Sequence, residues 1–302
     1  MRRPGEKIIN KILFVCQNTG AHKNNYCSLS KMAEPKWKVA KTKLINMSLD
    51  ERRKQYKQQD YLNVNMIDAW DNYIVRHTKE IESKRHTLDD ITEFKKIKIN
   101  NALNKSLAQK VSIYKGDITK LEVSSLKSRL NHDLFLQVSA VVNAANSLLQ
   151  AGGGVDGAIH RAAGRYLQDE CHTLNGCATG QAKITCGYDL PAKYVIHTVG
   201  PQDGSPEKLQ ECYENSLALC KHYKLISIAF PCISTGIYGF PNRLAAHIAL
   251  RTSRKFLEEH EEFERIIFCT FLGIDVEVYE TLMQMYFPVH DWNYNDGAST
   301  TE

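Results

Sequence analysis

From residue 111 onward, short apolar runs alternate with stretches in which apolar residues recur every three or four positions. Residues 111–115 alternate as a strand does, and residues 138–145 form an apolar run that ends at Asn146. Further strands are expected over residues 182–186, 194–199, 227–233 and 266–271. Helices are expected over residues 155–175, 206–223, 241–260 and 275–287. Short β-rich runs interleaved with amphipathic helices predict an α/β chain of three layers, with helices on both faces of a mostly parallel sheet. In such sheets ligands bind on the loops that leave the carboxyl ends of strands and enter helices.

Before residue 110 the texture differs. Ser48-Leu-Asp-Glu51 is a capping box, in which Ser48 caps a first turn and Glu51 reaches back. It predicts a helix over residues 52–58. A second helix is expected over 64–84, then helix fragments and linker over 85–110. Lys and Arg alternate with Asp and Glu here, as on a solvated helix face. Only Gly5 and Gly20 of the 17 glycines lie in the first 115 residues. The expected organisation is a basic, unstructured tail (1–35), a helical extension (36–107), an α/β domain (108–290) and a C-terminal tail (291–302).

The totals agree with that division. A chain of 302 residues has room for one large domain, or a domain plus an extension. With 43% hydrophobic and 24% charged residues it is neither collagen-like, mucin-like nor wholly disordered. No apolar run approaches the ~20 residues of a membrane span, so no membrane partner is expected. The net charge of +5 hides an asymmetry: residues 1–110 hold 23 Lys and Arg against 12 Asp and Glu, and the remainder is acidic. The nine cysteines are irregularly spaced with no C-x-x-C, as for reduced thiols in an intracellular protein of cytoplasm and nucleus. The sequence offers no convincing metal constellation, so no metal is expected. Residues 1–32 carry six Lys and Arg against Glu6 alone, which leaves a mitochondrial transit peptide as the alternative address.

Candidate chemistry sits on two glycine loops. The first, Asn143-Ala-Ala-Asn146-Ser-Leu-Leu-Gln-Ala151-Gly152-Gly153-Gly154-Val155-Asp156-Gly-Ala-Ile-His160, leaves a strand and enters a helix. Successive glycines let backbone N–H groups approach a ligand, and the helix N-terminus adds partial positive charge. Together they suit phosphate. The second loop, Ser234-Thr235-Gly236-Ile237-Tyr238-Gly239-Phe240, again joins a strand to a helix. Neither matches a Walker loop or the dinucleotide fingerprint. Two such loops on one sheet edge predict a site for two linked phosphates.

These motifs, with Gly116-Asp117-Ile118-Thr119, Gly180-Gln-Ala-Lys-Ile-Thr185 and Tyr194-Val-Ile-His197-Thr-Val-Gly200-Pro201, resemble the macrodomain family over about residues 108–290. Within it they look like the MacroD-type ADP-ribose hydrolases, whose preceding extension residues 37–70 also resemble. The resemblance implies a mixed sheet of six or seven strands between helices. It implies ADP-ribose and O-acetyl-ADP-ribose as ligands, mono-ADP-ribosylated proteins as substrates, no cofactor, and a monomer. Asp117, with Ile118 alongside, would accept from the adenine amino group, and Phe271 would line the adenine pocket. The loop residues 151–155 and 234–239 would clasp diphosphate and riboses, with Phe240 against the distal ribose. Asn146 would orient that ribose, Asp156 would position or deprotonate the attacking water, and His160, one turn on, would orient Asp156 or touch the ligand. Each has a plainer alternative: a loop tie for Asn146, a helix cap for Asp156, a buried imidazole for His160.

Two features depart from that pattern. Residues 124–138 interrupt the run between Val123 and Ser139-Ala-Val-Val-Asn143, as a surface insertion with a short helix around Leu130, Leu134, Phe135 and Leu136. Ala151 stands where the family commonly has glycine. The alternative function is a non-catalytic ADP-ribose reader. Nucleic acid is not an expected partner, since only N-terminal charge favours it.

Overall fold

The computed structural model describes residues 33–122 and 139–289. The expectations for the basic tail up to residue 32, the insertion 124–138 and the tail 291–302 lie outside the described residues. The strands are β1 (Leu62–Asn63), β2 (Val111–Lys115), β3 (Leu121–Glu122), β4 (Ser139–Ala144), β5 (Ala182–Cys186), β6 (Tyr194–Thr198), β7 (Ser227–Pro231) and β8 (Arg265–Thr270). The helices are α1 (Lys36–Asn46), α2 (Leu49–Arg53), α3 (Trp70–Arg76), α4 (Thr78–Glu82), α5 (Leu88–Phe94), α6 (Asn104–Ala108), α7 (Gly154–Ala163), α8 (Arg165–His172), α9 (Pro206–His222), α10 (Asn242–Glu259) and α11 (Gly273–Tyr286).

Six strands form one sheet in the order β2-β8-β7-β4-β6-β5, parallel throughout except for β5 against β6. Every residue of β7 is buried, as expected of a strand covered on both faces. One face carries a core that includes Leu209, Tyr213, Phe230, Ile248, Phe268 and Leu282. The other carries Leu149, Ile159, Leu167, Val195 and Ile267. The predicted three-layer α/β architecture is therefore present. A separate parallel pair, β1 with β3, joins residues 62–63 to 121–122.

Three expected helices come out differently. The helix expected over 155–175 breaks at Gly164, which has φ +78 and donates its N–H to the His160 carbonyl. A Cβ there would meet Asp189 Oδ2 at 2.7 Å, so glycine caps α7 and redirects the chain into α8. The helix expected over 64–84 is a 3-10 turn followed by α3 and α4. Trp70 decides this: its side chain is fully buried, and its indole N–H donates to the Phe287 carbonyl at 3.0 Å. Tertiary packing overrides a helical period that a straight rod would satisfy alone. The helix expected over 52–58 stops at Arg53, whose guanidinium makes a paired bond to buried Glu122, at 2.9 and 2.7 Å. Tyr56 then turns inward and donates to the same carboxylate.

The boundary expected at residues 107/108 does not separate two bodies. Trp70, Ile81, Phe94 and Leu107 share the core of α9, α10 and α11. Val64 and Ile67 join the core on the opposite face. Lys41 of α1 pairs with buried Glu170 of α8. Asp90, in the capping box of α5, accepts from Arg243 Nε at 2.6 Å and pairs with His247 Nε2 at 2.9 Å, both on α10. Burial alone would raise the Asp90 carboxyl, but Arg243, His247 and Thr87 outweigh it and hold it well below the usual carboxylate range. A depressed carboxyl stabilises the fold above the unfolded value of ~3.9, and that contribution fades as pH falls below it.

If extension and sheet share one core, Trp70→Ala destabilises the whole chain. Urea unfolding should show a single transition with stability lowered by ~3–5 kcal/mol. A separate early transition, with the sheet's own midpoint unmoved, would contradict the shared core.

Candidate functional site

Sheet order sets the site. Because β7 and β4 are parallel neighbours, the loops that leave their carboxyl ends emerge side by side. The next strands outward are β8, which ends before Phe271, and β2, which ends before Asp117. Along one edge the order is thus Asp117, Phe271, the second glycine loop and the first glycine loop. At ~4.8 Å per strand, the three steps from β2 to β4 span roughly 14 Å.

Between the two glycine loops lies a cleft of about 230 Å³. Asn146 and residues 152–156 line it from the first loop, and Ser234, Gly236, Ile237 and Tyr238 from the second. No side chain caps α7, so the N–H groups of its first turn are left for a ligand. Gly154 and Gly239 have φ of +58 and +64, which glycine adopts without steric cost. Ser234 shares this left-handed region, and its buried hydroxyl has no partner among the described residues.

Asp156 ties the first loop to its helix. Its Oδ2 accepts from the Gly152 N–H at 2.7 Å, and its Oδ1 from Asn143 Nδ2 at 2.6 Å. The carboxylate is buried yet lines the cleft. Gly157 makes this close approach possible, since a Cβ there would overlap the Gly152 carbonyl oxygen. Gly200 does the same for the second loop, where a Cβ would overlap Ser234 Oγ. Asn146 holds the first loop through Nδ2 to the Gln150 carbonyl at 2.5 Å, while its Oδ1 accepts from Leu148 and Gln150 N–H. The loop tie that competed with ribose binding is thus present, and Asn146 also lines the cleft.

Behind Asp156 lie His160, His197 and Cys171, all buried. His160 Nε2 is 3.5 Å from Asp156 Oδ1 and has no hydrogen-bond partner among the described residues. Burial lowers its basicity and the Asp156 charge opposes this. Burial, aided by His160, pushes His197 down to about 3. Burial raises the Cys171 thiol to about 12, with Glu170 and Asp156 adding to the effect.

The remaining predicted residues are placed variously. Asp117 Oδ1 caps a 3-10 turn, accepting from Thr119 N–H at 2.9 Å and Thr119 Oγ1 at 2.7 Å. Ile118 is buried, and Phe271 is 76% exposed, so its ring lies outside the core. None of these three lines the cleft between the glycine loops. Ala151 is exposed and its N–H donates to Gln168 Oε1. Thr235 closes its own turn through Oγ1 to the Cys232 carbonyl. Phe240 is 2% exposed and belongs to the core beneath the second loop, which it closes through its N–H to the Ser234 carbonyl. A ring in that position supports the loop from beneath. Asn143, Gly157 and Gly200 were not among the predicted site residues. Their signal was position within the quoted motifs: Asn143 lies near the end of β4, Gly157 in the first turn of α7 and Gly200 just past β6.

The chain matches the Macro domain family over residues 142–249. It is 48% identical to the mouse (Mus musculus) protein "ADP-ribose glycohydrolase MACROD2" over 273 residues, 88% of this chain and 52% of that protein. It is 44% identical to the Bos taurus protein "ADP-ribose glycohydrolase MACROD1", covering 84% of this chain and 71% of that one. The chain therefore spans about half the length of the first relative and more of the second. Its fold is similar to the Trypanosoma brucei macrodomain in complex with ADP-ribose, with TM-score 0.60 and 31% identity, covering 83% of this chain and 91% of that one.

Gly157→Ala should drive α7 away from the Gly152 carbonyl at a cost of ~1–3 kcal/mol. The Gly152 amide should then exchange its hydrogen faster with solvent, as measured by NMR. Unchanged exchange at Gly152 would mean that the close approach does not hold the loop.

Proposed function

The chain belongs to the Macro domain family, and from that premise we propose that it is a hydrolase that removes mono-ADP-ribose from acidic side chains of proteins and deacetylates O-acetyl-ADP-ribose. One observation carries the reading: a carboxylate, Asp156, is fastened at the entrance of a helix inside a cleft built from two phosphate-sized loops. The names of the relatives point the same way.

The edge order supports an extended ligand. The ~14 Å from β2 to β4 suits a dinucleotide-like molecule with adenine near Asp117, diphosphate between the loops and the distal ribose at β4. Asp117 Oδ1 is engaged with Thr119, which leaves the second oxygen for an adenine amino group. Backbone N–H groups at the start of α7 would bind the diphosphate, with the Ser234 hydroxyl as an added donor.

At the distal ribose, water attacks the carbonyl carbon of the ester. The ester C–O bond breaks, the ribose oxygen leaves as a hydroxyl, and the carboxyl group keeps the water oxygen. Each Asp156 oxygen accepts one N–H and retains lone-pair capacity for a water or ribose hydroxyl. Asp156 therefore holds the water while the substrate diphosphate receives its proton and passes it to the departing ribose oxygen. A positioned group of this kind contributes ~10²–10⁴-fold.

Asp156→Asn should reduce turnover of a mono-ADP-ribosylated protein at least ~100-fold. Its affinity for ADP-ribose, measured by calorimetry, should stay within about tenfold, since the loops remain. Equal turnover by the variant would overturn this mechanism. Binding by the wild type with no turnover of either substrate would leave the reader function instead.

A further inference from the structure

The hydrogen bonds behind Asp156 form one buried chain with a single consistent polarity. Asp156 Oδ1, as a carboxylate oxygen, can only accept, so the Asn143 group at 2.6 Å must be its NH₂. The same Asn143 nitrogen lies 3.1 Å from His197 Nδ1. A nitrogen that donates to both leaves His197 Nδ1 as an acceptor, so the imidazole proton sits on Nε2. That proton points to Thr185 Oγ1 at 2.9 Å. Asn143, His197 and Thr185 are 0–1% exposed, so no solvent repairs a wrong choice.

The chain also works in reverse. An Asn amide can turn over, and its shape alone does not choose the orientation. If His197 carried its proton on Nδ1, Asn143 would turn its oxygen toward that proton. Asp156 Oδ1 would then face an oxygen across the 2.6 Å gap and would leave its position. Asn143 Oδ1 has no partner among the described residues, so nothing else fixes the amide.

We propose that His197 is a positioning residue for Asp156: its Nε2–H tautomer, matched to the carboxylate through Asn143 and held by Thr185 Oγ1 as acceptor, keeps the carboxylate aimed at the cleft. This rests on the hydrolase reading above for its effect on turnover, though not for the tautomer itself. The same polarity argues against a metal between His160, Cys171 and His197, whose ligand atoms lie within 4.8 Å of one another. The His197 nitrogen that would face the ion carries the proton.

The test uses the full chain with ¹⁵N-labelled histidine, the His197 signal being assigned by its loss in His197→Gln. The wild type should show His197 as the neutral Nε2–H tautomer. Thr185→Val removes the acceptor with little change of shape. It should shift the tautomer population and lower kcat by ~10–100-fold, toward the low end of what a positioned group supplies, with KM within about twofold. Thr185→Ser restores the hydroxyl and should restore both readouts. A wild-type Nδ1–H tautomer, or wild-type kcat in a Thr185→Val enzyme with an altered tautomer, would overturn the proposal. A wild type that turns over no ADP-ribosyl ester would sink the hydrolase reading instead, and the tautomer measurement would still decide the orientation of Asn143 and Asp156.

Discussion

One bond organises the site: the Gly152 N–H donated to the Asp156 carboxylate across the entrance of α7. It joins a glycine loop with little conformational preference to a helix that has one. Because Gly152 is bound to the side chain, the following N–H groups are left for a ligand instead of folding back on the protein. The bond exists only because Gly157 has no Cβ to press on the Gly152 carbonyl. The other carboxylate oxygen is tied to Asn143 of β4, so loop, helix and central strand are fastened at one residue.

The sheet supplies the second constraint. Placing β4 beside β7 puts both phosphate-sized loops at one edge, and β8 and β2 extend that edge in the direction an adenine would occupy. Electrostatics follow from this geometry. Residues 111–302 carry more acids than bases, so the proposed anionic ligand would be met by backbone dipoles and not by a field of Lys and Arg. Within residues 36–76, basic and aromatic side chains serve packing. Arg53 meets Glu122, Lys41 meets Glu170, and Trp70 fills the core between the α11 end and the sheet. These contacts clamp both faces of the sheet that presents the loops.

Period and punctuation made much of this visible beforehand. The strands at 182–186 and 194–198, and helices α9, α10 and α11, fall within one or two residues of expectation, because alternation and amphipathic spacing report burial directly. The two loops were legible because glycine has few other uses at a strand-to-helix turn. What escaped was tertiary. Gly164 looked like one more helical residue until Asp189 proved to occupy the space of its Cβ. Residues 64–84 looked like one helix until Trp70 was seen to bond Phe287, 217 residues away. Phe240 carried an aromatic ring to a ligand loop, and only packing shows that the ring points into the core. Asn143, on a strand that reads as plain apolar core, gained its meaning from His197 on the next strand.

The most direct test of this account is a crystal structure of the full chain with ADP-ribose. The account predicts the diphosphate against the start of α7 and the second glycine loop, the distal ribose within hydrogen-bond reach of Asp156, and adenine at Asp117. A ligand bound in the opposite direction, or one that leaves Asp156 out of reach of the ribose, would contradict it.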